Sequence, residues 1–169
     1  MTNYTVQDAL TALKTILLTA SAVGQPALVA GYVMPDEYAS IPQELALPCI
    51  VVSELYNLPN DWQRKADGLG IHEWGAEVLL FAARGPLTTL NADSAAAMLK
   101  TRNWAKAFAD QLWANQSLNG KAQIIGEPAG AMRRLFRYAI GHVYLDTKEY
   151  WGMRLEVRIQ QKHAQLMSA

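Results

Sequence analysis

The stretch "YWGMRLEVRIQQ", residues 150–161, alternates apolar and polar residues near the end of the chain. Successive side chains of a β-strand point to opposite faces, so the alternation predicts a strand with two different faces. One face would hold the apolar residues Trp151, Met153, Leu155, Val157 and Ile159. The other would hold Gly152, Arg154, Glu156, Arg158 and Gln160. The apolar face indicates core. The charged face could meet water, a substrate, a nucleic acid or another subunit.

Other segments also have the composition of strands. Residues 71–85, "IHEWGAEVLLFAARG", are apolar on both faces, which predicts a central strand covered on both sides. Residues 48–55, "PCIVVSEL", are rich in β-branched side chains and predict a short buried strand. Residues 135–145 predict a strand that turns at residues 146–149 into the terminal strand. Weaker strand signals lie at residues 27–34 and 122–126, and irregular loops are expected at residues 56–70 and 127–131.

Two segments have helical periodicity. From Thr5 to about Val23, apolar residues recur at helical spacing, Thr5 and Asp8 suit a capping box, and Gly24 suits the end. The second helix lies within residues 91–120, with Asp93 or Ser94 as its cap. Asn119 and Gly120 are expected to end this second helix. Its expected apolar stripe consists of Met98, Trp104, Ala105, Phe108, Leu112 and Trp113.

The order of these elements predicts the fold class. Runs of strands separated by two helices indicate an α+β fold, with both helices packed on a mixed, mostly antiparallel sheet. The chain of 169 residues suits a single domain over residues 1–169. No apolar stretch approaches the roughly 20 residues of a membrane span, so we expect no membrane partner.

Composition narrows the function classes. Lysine plus arginine equal aspartate plus glutamate at 15 each, and this neutrality argues against a tight, non-specific grip on nucleic acid. Cys49 is the only cysteine, which excludes an internal disulfide and a thiolate metal cluster within one chain. Because Cys49 lies in a strand-like run, we expect it to be a buried small hydrophobe.

The sequence contains no recognisable catalytic motif. The histidines His72, His142 and His163 are far apart and lack metal-ligand spacing. The chain has no phosphate-binding loop of the Walker type and no nucleophile elbow. We therefore predict no catalytic residue, no metal, no cofactor and no enzymatic activity. This outcome favours a binding or assembly protein.

A polar loop with a tryptophan is the first candidate for contact with a partner. Trp62 lies there beside Arg64 and Lys65. Tryptophan is enriched at interfaces and at binding hot spots, which favours a contact loop. The tryptophan could equally fold back over the sheet.

Two groups of charged residues are further candidates for contact. The densest basic cluster consists of Arg133, Arg134 and Arg137, for which we favour a solvated or subunit-facing strand. The terminal strand carries the alternating charges of Arg154, Glu156 and Arg158. Alternating signs suit contact with a neighbouring subunit, with a neck partner or with water.

The order of elements resembles that of the tail terminator, or tail-completion, proteins of long-tailed bacteriophages. The features that carry the resemblance extend over nearly the whole chain. They are the short N-terminal helix, "LPCIVVSEL" at residues 47–55, and "HEWGAEVLLFAARG" at residues 72–85 running into a capped helix with Trp104. The closing hairpin "GHVYLDTKEYWGMRLEVRI", residues 141–159, completes the set.

The resemblance implies a structural virion protein with two helices against a mixed sheet. It implies a homo-oligomeric ring, usually of six copies, on the last ring of the tail tube. The ring would contact the major tail tube protein, stop tube growth and offer a docking surface to the connector or stopper of the head. Genome DNA would pass through the lumen without specific binding. The ring would lie at the head-proximal end of the phage tail, after assembly in the host cytoplasm.

Loops are the expected sites of the tube and lumen contacts, because loops on rigid scaffolds carry function. The longest loop candidates are residues 35–47, 56–70 and 85–92. Three other functions remain open from the sequence. They are a head-completion or stopper protein of the neck, a small RNA-binding sheet domain using Arg133, Phe136, Arg137 and Tyr138, and an enzyme whose site has no recognisable motif.

Overall fold

The computed structural model of the chain describes residues 4–55, 61–64, 70–85, 91–129 and 132–163. At residues 61–64, 127–129 and 132–134 it describes the backbone alone. Two α-helices are present in these ranges, α1 (Val6–Leu18) and α2 (Ala92–Ala114). The strands, in chain order, are β1 (Ala30–Val33), β2 (Cys49–Glu54), β3 (Asp61–Arg64), β4 (Gly70–Arg84), β5 (Gln123–Ile124), β6 (Glu127–Ala129), β7 (Met132–Arg134), β8 (Arg137–Leu145) and β9 (Lys148–His163).

The sheet is built around the antiparallel pair β4 and β9. Gly70 lies opposite His163 and Arg84 lies opposite Tyr150, so the two strands pair along nearly their whole length. β2 and β3 pair with the other edge of β4, and β1 runs parallel to β2. β5 and β8 pair with the other edge of β9, while β6 and β7 form a separate hairpin. One parallel pair in a sheet of seven strands confirms the predicted α+β fold.

Both helices pack on one face of the sheet and form the main core with it. The side chains of β4 that point into this core are 0 % exposed; they are Trp74, Ala76, Val78 and Leu80. Those of β9 are Met153, Leu155, Val157 and Ile159, as the alternation of residues 150–161 predicted. Trp151 is only partly buried, and the pairing register between β4 and β9 shifts between Phe81 and Ala83. The helices contribute Leu10, Leu13, Leu17, Trp104, Phe108 and Leu112.

A second, smaller core lies on the opposite face, at one end of the sheet. Phe81 and Tyr150 meet edge to face there, with ring centroids 5.2 Å apart. Residues 35–47, one of the expected contact loops, pack apolar side chains such as Leu45 over this end. Cys49 is buried in this core, and burial raises the pKa of its thiol to about 12. The thiol therefore remains neutral, as the prediction of a buried small hydrophobe requires.

The first helix begins where the sequence predicted and ends earlier. Thr5 and Asp8 form the predicted capping box of α1. The helix ends at Leu18 rather than near Val23. Val23 is 82 % exposed, so its side chain makes no core contact that would favour a further helical turn.

The second helix differs from the prediction at both ends. Asn91 caps α2, whereas Asp93 and Ser94 were the predicted caps. The Ser94 hydroxyl oxygen instead accepts a hydrogen bond from the Asn91 N–H, which completes a capping box. α2 ends at Ala114, and a 3₁₀ turn (Leu118–Gly120) follows. Trp113, expected in the apolar stripe, is 69 % exposed because it lies on the outer side of α2.

Two predicted loops contain strands. Residues 61–64 pair with residues 70–73 of β4, so the expected irregular loop at residues 56–70 was wrong at this point. β6 lies within residues 127–131, where a loop was expected, whereas β7 contains Arg133 and Arg134, for which a strand was favoured. Neither segment has an apolar alternation, and both become strands by backbone pairing, which depends little on their side chains. The remaining residues of the first predicted loop, 56–60 and 65–69, and residues 86–90 lie outside the described part of the chain.

A buried glutamine connects the end of β9 to the start of α1. Gln161 is 1 % exposed, and its Oε1 accepts a hydrogen bond from Trp74 Nε1 at 3.0 Å. Its Nε2 donates to the carbonyl oxygen of Thr5 at 2.9 Å, at the first turn of the helix. A buried polar group costs free energy unless it is paired, so these bonds fix Gln161 at this position.

We predict that Gly152→Ala destabilises the protein strongly. A Cβ atom at position 152 would lie well inside van der Waals contact with the carbonyl oxygen of Leu80, so β4 and β9 would have to separate. Overpacking of this kind costs about 1–3 kcal/mol or more. Urea unfolding of Gly152→Ala should therefore show a clear fall in the free energy of unfolding. Gly141 pairs with Gly152 across β8 and β9 and has open space around it, so Gly141→Ala is the matched control.

We predict that Gln161→Leu costs about 1–3 kcal/mol, since Trp74 Nε1 would be left buried without its acceptor. Thermal or urea unfolding measures the change. Gln123 is exposed on the short strand β5, and Gln123→Leu should change stability by less than about 0.5 kcal/mol. Equal effects of the two substitutions would show that the buried network contributes nothing specific.

Candidate interaction face

The sheet face opposite the helices carries a cluster of alternating charges, which we name the charged ladder. Its members come from the strands β4, β8 and β9. They are Glu73, Glu77, Arg137, Arg154, Glu156 and Arg158. Three arginines balance three glutamates, so the ladder is neutral as a whole. The second core covers one end of this face, and the ladder lies beside it.

Strand register explains why these six side chains share one face. Glu77 of β4 lies opposite Glu156 of β9, and Arg137 of β8 lies opposite Glu156 on the other side. Two carboxylates directly opposite each other would repel. Arg154 contacts both and compensates, with Nε 2.6 Å from Glu77 and Nη2 3.2 Å from Glu156. The ladder therefore neutralises its own charges within one chain.

The second half of the ladder follows the same pattern. Arg158 Nη2 lies 3.9 Å from a carboxylate oxygen of Glu73, and Gln160 Nε2 donates to Glu73 at 2.9 Å. The side chain of Arg154 is 45 % exposed, whereas that of Arg158 is 16 % exposed. Ion pairs that border solvent contribute only about 0.2–1 kcal/mol each. The ladder thus adds little to the stability of the fold, and the charge of Arg154 remains accessible to a partner.

The structure brings together four of the nine predicted contact residues. Arg137, Arg154, Glu156 and Arg158 share the ladder. Four others lie on short strands, where the structure describes the backbone alone; they are Trp62 and Arg64 of β3, and Arg133 and Arg134 of β7. Lys65 lies outside the described residues.

Two of the three glutamates of the ladder, Glu73 and Glu77, were missed as contact residues. Neither residue was assigned a contact role from the sequence. The parity of the β4 pattern places both on the face away from Trp74, which was a usable signal. Their arginine partners could not be identified in the same way, because that requires the pairing register of β4 with β9.

The histidines lie outside the ladder, and two of them are neighbours. The rings of His72 and His163 are 6.3 Å apart on β4 and β9. Burial, followed by the charge of His163, lowers the pKa of His72. Within the described ranges, no three side chains of His, Cys, Asp or Glu converge as metal ligands.

The third histidine belongs to a small polar group at the β8–β9 hairpin. His142 Nδ1 lies 2.5 Å from a carboxylate oxygen of Glu149. The same carboxylate oxygen accepts a hydrogen bond from the Tyr144 hydroxyl at 3.2 Å. The negative charge of Glu149 raises the pKa of Tyr144. These contacts tie the two strands of the hairpin together.

The surface near the ladder is shallow. An open depression of about 270 Å³ is lined by Arg137, Tyr138, Ala139, Arg154 and Glu156. A depression of this shape suits a protruding side chain of a partner better than an enclosed small molecule, since ligand pockets bury most of the ligand surface. In the part of the chain that the structure describes, neither helix is long and apolar enough to cross a membrane.

Comparison with known proteins adds no family. No family model matches the chain, and no curated protein matches it. The likeness to tail terminators therefore stays a prediction from the order of the elements and from their sequence patterns. The ladder and the fold are the remaining indications of function.

We predict that the pair Arg154–Glu77 couples weakly, by about 1 kcal/mol or less, because both side chains border solvent. A double-mutant cycle with Arg154→Ala, Glu77→Ala and the double variant, followed by urea unfolding, measures the coupling. The coupling should shrink as salt rises, because salt screens exposed charges. A coupling of several kcal/mol would mean that the ladder holds the sheet together, which would leave less reason to assign it to a partner.

Proposed function

We propose that this chain is a structural virion protein of the tail-terminator kind. It forms a ring at the head-proximal end of a phage tail tube, ends polymerisation of the tube and provides the docking surface for the neck. The charged ladder carries the proposal. It is a neutral face of mixed charges on a sheet whose opposite face is filled by the two helices.

The ladder has the properties that a closed ring requires. Identical subunits in a ring meet through two different surfaces, so each surface must accept the neighbour without net repulsion. Alternating charges fix the register of such contacts and reject wrong partners. The ion pairs of the ladder contribute little to the stability of one chain. Their hydrogen-bonding groups can therefore be shared with a neighbouring subunit with little loss of stability.

The order of elements and the net charge support the same role. The helix before the strands and the long strand β4 leading into the capped helix α2 match the order on which the resemblance rests. The chain has equal numbers of basic and acidic residues, which suits a lumen that lets DNA pass without holding it. The partners under this proposal are further copies of the chain, six in all as the resemblance implies, the major tail tube protein and the connector or stopper.

A head-completion or stopper protein is the second candidate, since such neck proteins resemble tail terminators in size and also form rings. The RNA-binding alternative is less well supported. Tyr138 lies opposite Leu155, whose side chain is in the main core, while Arg137 lies on the ladder face beside Glu156. The aromatic pair Phe136 and Tyr138, with centroids 6.0 Å apart, therefore does not share a face with Arg137. Sheet domains that bind RNA need aromatic side chains that stack on bases and basic side chains on the same face of the sheet.

We predict that particles assembled without this chain have overlong tail tubes that lack heads. Growth of the tube would continue because nothing covers its last ring. Negative-stain electron microscopy measures the tube lengths, and supplying the wild-type chain from a plasmid is the control. Tails of normal length beside separate filled heads would assign the chain to the neck instead. Intact particles would contradict both assignments.

We predict that the double charge reversal Arg154→Glu with Arg158→Glu fails to restore normal tails in the same complementation assay. The reversal replaces a neutral face by a strongly acidic one, which repels its partner. Arg102 is exposed on α2, so Arg102→Glu is the matched control and should restore the tails. Circular dichroism shows whether each variant folds. If assembly survives both reversals, the ladder is only a solvated surface.

A further inference from the structure

The outer edge of β8 is the feature that the proposed function leaves unused. β8 pairs with β9 over nine residues, from Arg137 opposite Glu156 to Leu145 opposite Lys148. Among the residues that the structure describes, no strand pairs with its other edge. An unpaired edge presents a row of backbone donors and acceptors that can pair with another strand.

The strand at the opposite side of the sheet has a protected end. β1 has only four residues, and the carboxylate of Glu37 accepts a hydrogen bond from the Val33 N–H at 2.6 Å. The Glu37 N–H donates to the Val33 carbonyl oxygen at 2.8 Å, so both polar groups of Val33 are occupied. Lys14 bonds the same carboxylate at 2.9 Å and, through that hydrogen bond, lowers the pKa of Glu37. Within the described ranges, β8 has no comparable protection on its edge.

The turn after β8 decides which backbone groups face outward. Only two residues, Asp146 and Thr147, connect Leu145 to Lys148, so these two flanking residues form a hydrogen-bonded pair. Hydrogen-bonded and non-hydrogen-bonded pairs alternate along an antiparallel ladder. The odd-numbered residues of β8 therefore direct their N–H and C=O groups to β9. The even-numbered residues direct theirs to the open edge; they are Tyr138, Ile140, His142 and Tyr144.

The residues of β8 are arranged almost symmetrically about its centre. Tyr138 and Tyr144 lie three positions before and after Gly141 and point to the same face, since their separation is even. They are 52 % and 59 % exposed, respectively. A Cβ atom at Gly141 would meet nothing within 4 Å, so there is room for a second chain to approach at the centre.

We propose that β8 pairs with β8 of a second copy of this chain, antiparallel, with Gly141 on the two-fold axis. In this register Tyr138 lies opposite the partner's Tyr144, and Ile140 lies opposite the partner's His142. Both are pairs of even-numbered residues, whose backbone groups face outward and can exchange hydrogen bonds. The sheet then continues across both copies. The contact is isologous, because each residue that meets the partner is met by the same residue in return.

Side chains favour this register over its neighbours. It creates two cross-strand pairs of tyrosines, and aromatic pairs of this kind stabilise antiparallel strands. With the axis at His142, Tyr144 would lie opposite the partner's Ile140. With the axis at Ile140, Tyr138 would lie opposite the partner's His142. Either shift loses both aromatic pairs, so the axis at Gly141 is selected.

The paired form does not rest on the proposed function. A ring with two different faces requires head-to-tail contacts, which a two-fold pair cannot supply. The pair is therefore a form of the free chain, in which a long exposed edge is covered. This protection matters because free edges lead to uncontrolled association.

A cysteine cross-link tests the register. In Gly141→Cys, the two introduced cysteines face each other at a non-hydrogen-bonded pair, where Cα atoms are about 4.5 Å apart and a disulfide can form. Mild oxidation should give a disulfide-linked species of twice the 18.7 kDa monomer mass. Cys49 is buried and does not compete. In the control Ala139→Cys, the introduced cysteines would be roughly four residues apart along the strands, too far to bridge.

Replacement of the two tyrosines by charged residues provides a second, independent test. Light scattering after gel filtration should show a dimer for the wild-type chain and a monomer for Tyr138→Lys with Tyr144→Lys, because like charges then oppose each other. Tyr138→Glu with Tyr144→Lys places opposite charges across the axis and should keep the dimer. Tyr38 is 53 % exposed outside β8, so Tyr38→Lys is the control for a lost surface tyrosine.

The outcomes separate this inference from the proposed function. A monomeric wild-type chain, or equal cross-linking at positions 139 and 141, overturns the β8 pair. A larger ring without a cross-link at position 141 also overturns it, but supports the ring. A cross-linked dimer supports the pair and leaves the ring to be decided by microscopy of the assembled particles.

Discussion

The antiparallel pairing of β4 with β9 is the constraint on which the rest of the structure depends. Each strand supplies one row of apolar side chains to the main core, and each supplies charged side chains to the opposite face. The other strands of the main sheet extend outward from this pair, and both helices rest on the apolar face. The register between β4 and β9 therefore determines the core and the charged ladder together.

That coupling restricts how the ladder can vary. A slip of one residue in the pairing would turn every side chain of β9 to the other face, which would place Arg154 in the core and Leu155 in solvent. The apolar residues thus hold the arginines in place, although the ion pairs contribute little stability themselves. A surface fixed in this way stays rigid when it is free, and rigidity reduces the entropy lost when a partner binds.

Sequence reasoning was most successful where the period of the apolar residues is clear. β9 follows from alternation, α1 from helical spacing and β4 from a long run that is apolar on both faces. The cap of α2 was misassigned because "NADS" offers several polar residues, and the choice depends on where packing starts the helix. β3 and the β6–β7 hairpin lack a pattern, since their strand geometry comes from a neighbouring backbone. The ladder was found in part, as Arg154, Glu156 and Arg158 alternate within one strand, whereas their glutamate partners depend on register.

The bonds of Gln161 have a consequence for the order of folding. Its side chain joins β9 to the carbonyl oxygen of Thr5, which is 156 residues away along the chain. α1 is synthesised well before β9 and packs mainly on β1, β2 and α2, whereas Gln161 of β9 bonds only the start of the helix. Contacts between such distant residues are slow to form, because a long loop must close before they contribute. During synthesis α1 can pack on β1 and β2 first, and the main core is completed only after β9, which supplies Met153, Leu155, Val157 and Ile159, has left the ribosome.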